Sequence, residues 1–262
     1  MMPISHPFTF QRISQRDFGE DAYAVMEHVF AIHSEFGRFF DEQIYKRELA
    51  SRMSGVSLEV PITVSFDTFS KLYSLDALVG AGALFEFKAA EAIHPRHRGQ
   101  TINYLLLADL EHAKLINVRP EMVEHEFVNC SQRLIHLRHP RISDANLDRA
   151  APGATKFQDL LTALIRDWGA GLELALHEEA LTWFLGGEAA VKVAVPVSGS
   201  AGVVGDQRVR LVAPETAFKL TALPNDESAF VVHAHRLLAH TPLTAIHWAN
   251  LTHDHVTFAT IR

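Results

Sequence analysis

The stretch "LFEFKAAEAIHPRHRGQTINYLLL", residues 84–107, decides how the rest of the chain is read. Leu84, Phe85 and Phe87 begin an apolar strand, and Glu86 and Lys88 interrupt it two residues apart. Strand side chains alternate between faces, so this spacing puts a carboxylate and an ammonium on the same face. The residues that follow change character. "HPRHRGQTINYLLLADLEHA" (94–113) predicts a helix with Pro95 in its first turn, and places Gln100 and Tyr104 four apart on one face. A charged strand end followed by a polar helix face is the pattern of a site.

Working outward, residues 16–33 predict a helix, with Tyr23, Met26, Val29, Phe30 and His33 at helical spacing. Residues 38–53 predict a second helix, with Gly37 between the two and Glu42 and Tyr45 sharing one face. Strand-like runs follow at 56–64, 69–79 and 83–89, and again at 114–118 and 125–130 on the far side of the helix. The expected fold class is α/β, with a single sheet in this part of the chain. "RISDANLDRAAPGAT" (141–155) is polar, contains Pro152-Gly153 and has no apolar period, so it is expected to be a linker.

Beyond it the pattern starts again. "SEFGRFFDEQIYKRELASRM" (34–53) lies over "RDWGAGLELALHEEALTWFL" (166–185), with Gly37 on Gly169. Further on, Leu78-Val79 fall on Leu211-Val212, at an offset larger by one. "FVVHAHRLLAH" (230–240) stands where the first helix after the strand stood, and "TAIHWAN" (244–250) stands where "KLINVRP" stood. Two domains are expected, 1–140 and 156–262, the second a copy of the first. Trp168, Trp183 and Trp248 are expected in its core or on the surface it packs against the first copy, the core being favoured.

Asp76 ends one strand, Glu86 and Lys88 share the next, and Glu42 comes from the second helix. Three carboxylates are suitable hard oxygen ligands for Mg²⁺ or Mn²⁺. Lys88 beside them can contact a phosphate oxygen or position a water, and relieves their mutual repulsion. In the second copy these positions hold Leu174 for Glu42, Val209 for Asp76, Lys219 for Glu86 and Thr221 for Lys88. His177 stands for Tyr45, and Phe230 and Ala234 stand for Gln100 and Tyr104. That copy is expected to bind no metal, since a lone Lys219 repels a divalent cation.

From about Val29 to Val128 the chain resembles the GxxExxY family, a branch of the PD-(D/E)xK nuclease-like superfamily. The resemblance rests on Gly37, Glu42 and Tyr45 in "GRFFDEQIY", Asp76 in "YSLDALV", and Glu86 and Lys88 in "FEFKAAE". His97, Gln100, Tyr104 and Leu105 in "HPRHRGQTINYL" and Asn117 in "AKLINV" complete it. It implies αβββαβ domains, each a mixed sheet flanked by helices. It also implies a divalent-metal nuclease site of Asp76, Glu86, Lys88, Glu42, Gln100 and Tyr104, with Arg96, His97, Arg98 and Tyr45 toward nucleic acid.

The expected activity is Mg²⁺- or Mn²⁺-dependent hydrolysis of DNA or RNA, DNA being favoured. The inactive copy would then serve as a built-in partner, a pseudo-dimer within one chain. The alternative is a non-catalytic scaffold that keeps the fold and binds nucleic acid or protein. The formal charge of −7 is no broad basic footprint, and basic residues cluster only in "HPRHR" (94–98) and "QRLIHLRHPR" (132–141). A single cysteine, Cys130, excludes an internal disulfide and an all-Cys zinc site, and is expected to be buried. The opening "MMPISHPFTFQR" has neither the basic nor the apolar region of a secretory signal, so a cytoplasmic protein is expected.

Overall fold

The computed structural model describes residues 3–262; Met1 and Met2, which begin the expected first domain, lie outside the described residues. The chain divides into two compact units between Leu134 and Ile135. Each is mixed α/β, a six-stranded sheet flanked by helices.

In the first unit a two-residue strand β1 (Ile4–Ser5) precedes helix α1 (Gln15–Phe36). The Ser14 side chain caps α1 by accepting from the Asp17 amide at 3.1 Å. Phe18, Ala22, Val25, Met26, Val29 and Ile32 form its buried stripe, at the three- and four-residue spacing of a helix face. The helix stops at Gly37, whose φ of 72° other residues adopt only at a cost. Helix α2 (Glu42–Arg52) follows, then strands β2 (Val56–Phe66), β3 (Phe69–Val79) and β4 (Ala83–Lys88). Helix α3 (Pro95–Leu107) crosses over to β5 (His112–Asn117), and β6 (Glu124–Asn129) ends the sheet.

The sheet order is β1-β2-β3-β4-β5-β6, with β4 and β5 parallel and the other pairs antiparallel. Ala77, Val79, Phe85, Phe87 and Ile116 pack into one apolar cluster with the buried stripe of α1. By strand alternation Glu86 and Lys88 therefore belong to the opposite face. Helix α3 ends six residues earlier than its pattern predicts. Asp109 takes φ 50°, and Arg12 fixes that turn by donating to the Asp109 carbonyl at 3.0 Å and carboxylate at 2.9 Å.

In the second unit a single turn α4 (Leu134–Leu137) at the division leads to β7 (Arg141–Asn146). Helices α5 (Ala154–Trp168), α6 (Leu174–Phe184) and the short α7 (Glu188–Val191) come next, then β8 (Lys192–Gly199), β9 (Gly202–Ala213) and β10 (Thr216–Thr221). Helix α8 (Glu227–Ala239) crosses to β11 (Ala245–Leu251), followed by β12 (His255–Ile261). The sheet order is β7-β12-β11-β10-β9-β8. Residues 141–155 are thus not a free linker: β7 pairs in parallel with β12, and its backbone satisfies the edge that β12 would otherwise expose. Trp168 and Trp248 are core residues as expected, whereas Trp183 is exposed.

Strands β2 to β6 and β8 to β12 have the same order and the same relative directions. The registers agree as well. Glu86 faces Leu115 as Lys219 faces Trp248, and Ala113 faces Val128 as Ile246 faces Ile261, all at one offset of 133 positions. Two buried asparagines repeat at that offset. Asn117 accepts from the Ala90 amide at 3.0 Å and donates to the Ala90 carbonyl at 2.8 Å. Asn250 holds the Leu223 amide and carbonyl in the same way, at 2.8 and 2.9 Å. Each side chain replaces a missing strand partner where the chain leaves the sheet. The helix ends match too, since α5 stops at Gly169 with φ 106°.

Candidate active site

The ladder between β3 and β4 closes at Ala77–Phe85, and beyond it the two strands part. Asp76 and Glu86 stand just past that fork. The Phe87 amide, left without a backbone partner from β3, donates to Asp76 Oδ2 at 2.8 Å. Asp76 Oδ1 accepts from Lys46 Nζ at 2.7 Å, and Lys46 also donates to Glu59. Glu86 is 1% exposed. Its Oε1 accepts from Lys88 Nζ at 2.7 Å, and its Oε2 is buried with no hydrogen-bond partner. A buried, unpaired carboxylate oxygen is a costly feature that calls for an explanation.

The electrostatics show how closely these groups are gathered. Burial pushes the Glu86 carboxyl up to about 8; the Asp76 charge adds to this, Lys88 opposes it, and Glu42 adds again. Glu42 is raised by burial and by Asp76, with Lys88 and Lys46 opposing. Burial pulls Lys46 down, but its hydrogen bonds to Asp76 and Glu59 outweigh that and hold it above its ordinary value. Asp76, Glu86, Glu42, Lys88, Lys46 and Glu59 therefore form one interacting set. Among the described residues, no group of three or more His, Cys, Asp or Glu side chains is drawn together tightly enough to hold a metal ion.

Lys46 and Glu59 are absent from the sequence-based set. Lys46 is one turn after Glu42 on α2, where a lysine reads as a solvated helix residue, yet it is 2% exposed. Glu59 reads as the polar member of an alternating strand. Its φ of 52° is uncommon for a residue other than glycine, and no sequence signal marks it. It is exposed; partial desolvation pushes its carboxyl up, but the bonds it accepts from Lys46 and Ser74 keep it below its ordinary value.

Gln100 and Tyr104 pair with each other on α3, Nε2 to Oη, at 2.9 Å, and the Tyr104 ring packs edge-on against Tyr73 of β3 at 6.2 Å. Of the four residues expected toward nucleic acid, Tyr45 and His97 are buried. Tyr45 is 1% exposed and donates to the Gly37 carbonyl, so it locks the α1–α2 corner. His97 is also buried; its Nδ1 accepts from the His94 amide at the start of α3, and burial with Arg96 and Lys88 nearby holds it below the usual histidine value. Arg98 is exposed but bound to Glu126 through Nε at 2.5 Å and through its second nitrogen at 2.8 Å. Arg96 is exposed, its Nε 3.2 Å from His97 Nε2. Cys130 is buried, and burial raises its thiol.

At the corresponding places the second unit holds no carboxylate pair. Val209 is buried, Lys219 is exposed, and Thr221 donates to Asn250 at 2.8 Å. His177, at the Tyr45 position, is fully buried, and burial brings its pKa down to about 4. It is a neutral core residue at pH 7.

These geometries sit within a segment that has a known likeness. Residues 20–129 match the family model of the PD-(D/E)XK nuclease superfamily. The match ends with β6 and so takes in the whole site, from Glu42 to Tyr104. Neither the curated proteins nor the solved structures gave a match. Among the described residues, no helix is long and apolar enough to cross a membrane.

Proposed function

We propose that the first unit is a divalent-metal-dependent nuclease hydrolysing phosphodiester bonds in DNA or RNA. The orphaned Glu86 Oε2, buried beside Asp76, carries this reading. Mg²⁺ and Mn²⁺ accept hard oxygen ligands, and Mg²⁺ commonly takes one or two carboxylates while keeping several waters. Asp76 and Glu86 fit that demand, and Glu42 supplies further negative charge at the rim. Bound there, the ion would supply electrophilic assistance at a phosphoryl oxygen and acidify a water.

The chain's own residues set the conditions. Glu86 keeps its proton up to a pH of about 8 and has to lose it before it can ligate. Lys88, only partly exposed and bonded to Glu86, is placed to move from that carboxylate to a phosphate oxygen. Lys46 holds Asp76 in one orientation. Arg96, exposed and, unlike Arg98, without a carboxylate partner among the described residues, would meet a nucleic-acid backbone, with Gln100 and Tyr104 as a polar pair toward the substrate.

The assay is cleavage of single- and double-stranded DNA and RNA with Mg²⁺, with Mn²⁺ and with chelator. Product that needs metal and disappears in Lys88→Ala supports the proposal. Absence of product on every substrate supports a second reading, a non-catalytic binding scaffold. The observation favouring that reading is that both Asp76 oxygens already have partners, Lys46 and the Phe87 amide.

The second unit is proposed to be an inactive duplicate of the first. Its matching strand order, register and asparagine clamp support descent from one ancestor, and its lack of the Asp76, Glu86 and Glu42 carboxylates supports inactivity.

A further inference from the structure

The second unit has not simply lost its site. Lining a cavity of about 610 Å³ are Lys219, which stands in register where Glu86 stands in the first unit, and Val209, which the sequence offset sets at the place of Asp76. The cavity also takes in Lys192, Arg208, Arg210 and Glu188. Four cations against one carboxylate is the reverse of the first unit's charge, in a chain whose formal charge is −7.

Two of these cations are partly committed. Lys192 pairs with Glu188, and Arg210 pairs with Glu178 at 2.9 Å. Arg210 Nε remains buried with no partner. Arg208 and Lys219 are exposed, and among the described residues no carboxylate pairs with either. Like charges converging on one concavity repel one another, and an anion relieves that repulsion. Guanidinium and ammonium donors together suit the several oxygens of a phosphate, which can accept from more than one arginine N–H at once. The volume lies in the range of small-molecule sites, and Leu237, Ile246 and Phe218 give it an apolar wall.

We propose that this cavity is a phosphate-binding pocket, built on the same strands as the first unit's carboxylate site but with its polarity inverted. Its ligand carries a phosphate group, either free in a small phosphorylated molecule or within a nucleic-acid backbone. The proposal is independent of whether the first unit cleaves anything.

The test is calorimetric titration of the full chain in chelator, so that no metal holds phosphate in the first unit. The probes are inorganic pyrophosphate, a nucleoside triphosphate and a short single-stranded oligonucleotide. Arg208→Ala combined with Lys219→Ala removes two exposed charges without touching the core, and unchanged thermal melting checks the fold. Binding of any probe that weakens roughly tenfold or more in this variant, and is retained in Glu86→Gln, supports the pocket. Small probes that displace the oligonucleotide identify a free phosphate ligand; binding of the oligonucleotide alone identifies the backbone. No binding of any probe, or binding the double variant leaves unchanged, overturns the proposal.

Discussion

Glu86→Gln separates the cost of the buried carboxyl from everything else in the first unit. In the unfolded chain Glu86 ionises near its ordinary 4.5; in the folded unit burial and Asp76 hold the proton on to about 8. Between those values the folded state binds more protons than the unfolded state, so stability must fall as pH rises. Below pH 4.5 the effect is absent, and above about 8 it is complete. At about 1.4 kcal/mol per pH unit the shift corresponds to roughly 5 kcal/mol at most. Relaxation and water entry bring such penalties down, and about 2–3 kcal/mol is the working expectation. For a unit of this size that is a change of roughly 5–10 °C in melting temperature. Glutamine keeps the shape and cannot ionise. Wild type and variant are melted with chelator present between pH 5 and pH 9. Their melting temperatures should agree near pH 5 and diverge in favour of the variant toward pH 9. A difference that stays constant with pH would show that Glu86 is not the group whose ionisation opposes folding.

Metal binding should run the other way. Ionised Glu86 is the ligand form, so Mg²⁺ or Mn²⁺ affinity should rise up to about tenfold per pH unit below pH 8, with proton release seen calorimetrically in buffers of different ionisation heat; affinity independent of pH removes Glu86 from the ligand set. Lys46→Ala leaves Asp76 without its buried cation and should cost about 3 kcal/mol in denaturant unfolding; a cost near zero shows that the Phe87 amide alone satisfies Asp76. Asn117→Ala and Asn250→Ala should each cost about 3 kcal/mol in their own unit, because each exposes a buried amide and carbonyl left without partners. If only one of the two matters, the clamps are not equivalent.

Much of this was legible in the sequence because it rests on periodicity and on local caps. The alternation in 84–88, the helix stripe of α1 and the terminal glycines Gly37 and Gly169 are short-range signals. The like order of elements in the two halves was legible because such an order survives substitution. What failed depends on contacts distant in sequence. Helix α3 was drawn too long because Arg12 anchors the Asp109 turn from ninety-seven residues away. Residues 141–146 looked like linker because an edge strand paired on one side needs little apolar pattern. Tyr45 and His97 carry groups that suit a ligand, yet the Gly37 carbonyl and the His94 amide engage them inside the fold. Lys46 shows the converse: nothing in a helical "YKRE" separates a buried lysine from its solvated neighbours, because the carboxylate that buries it lies thirty residues on.

The proposed duplication would mean that a site was lost without disturbing its scaffold. In the first, α2 delivers the cation Lys46 to the anion Asp76 on β3. In the second, α6 delivers the anion Glu178, at the place of Lys46, to the cation Arg210 on β9, one residue beyond the place of Asp76. A helix-to-strand ion pair is kept and its polarity is reversed. Carboxylates at the fork make folding more costly: burial first, and the Asp76 charge after it, push the Glu86 carboxyl up to about 8. On the proposed duplication, Lys in place of Glu86 and Val in place of Asp76 remove that repulsion, and a copy released from the chemistry would gain stability by losing the cluster. The first unit keeps the costly arrangement, with one Glu86 oxygen still unsatisfied. A divalent cation bound after folding, as proposed above, would give that oxygen the partner that packing does not supply.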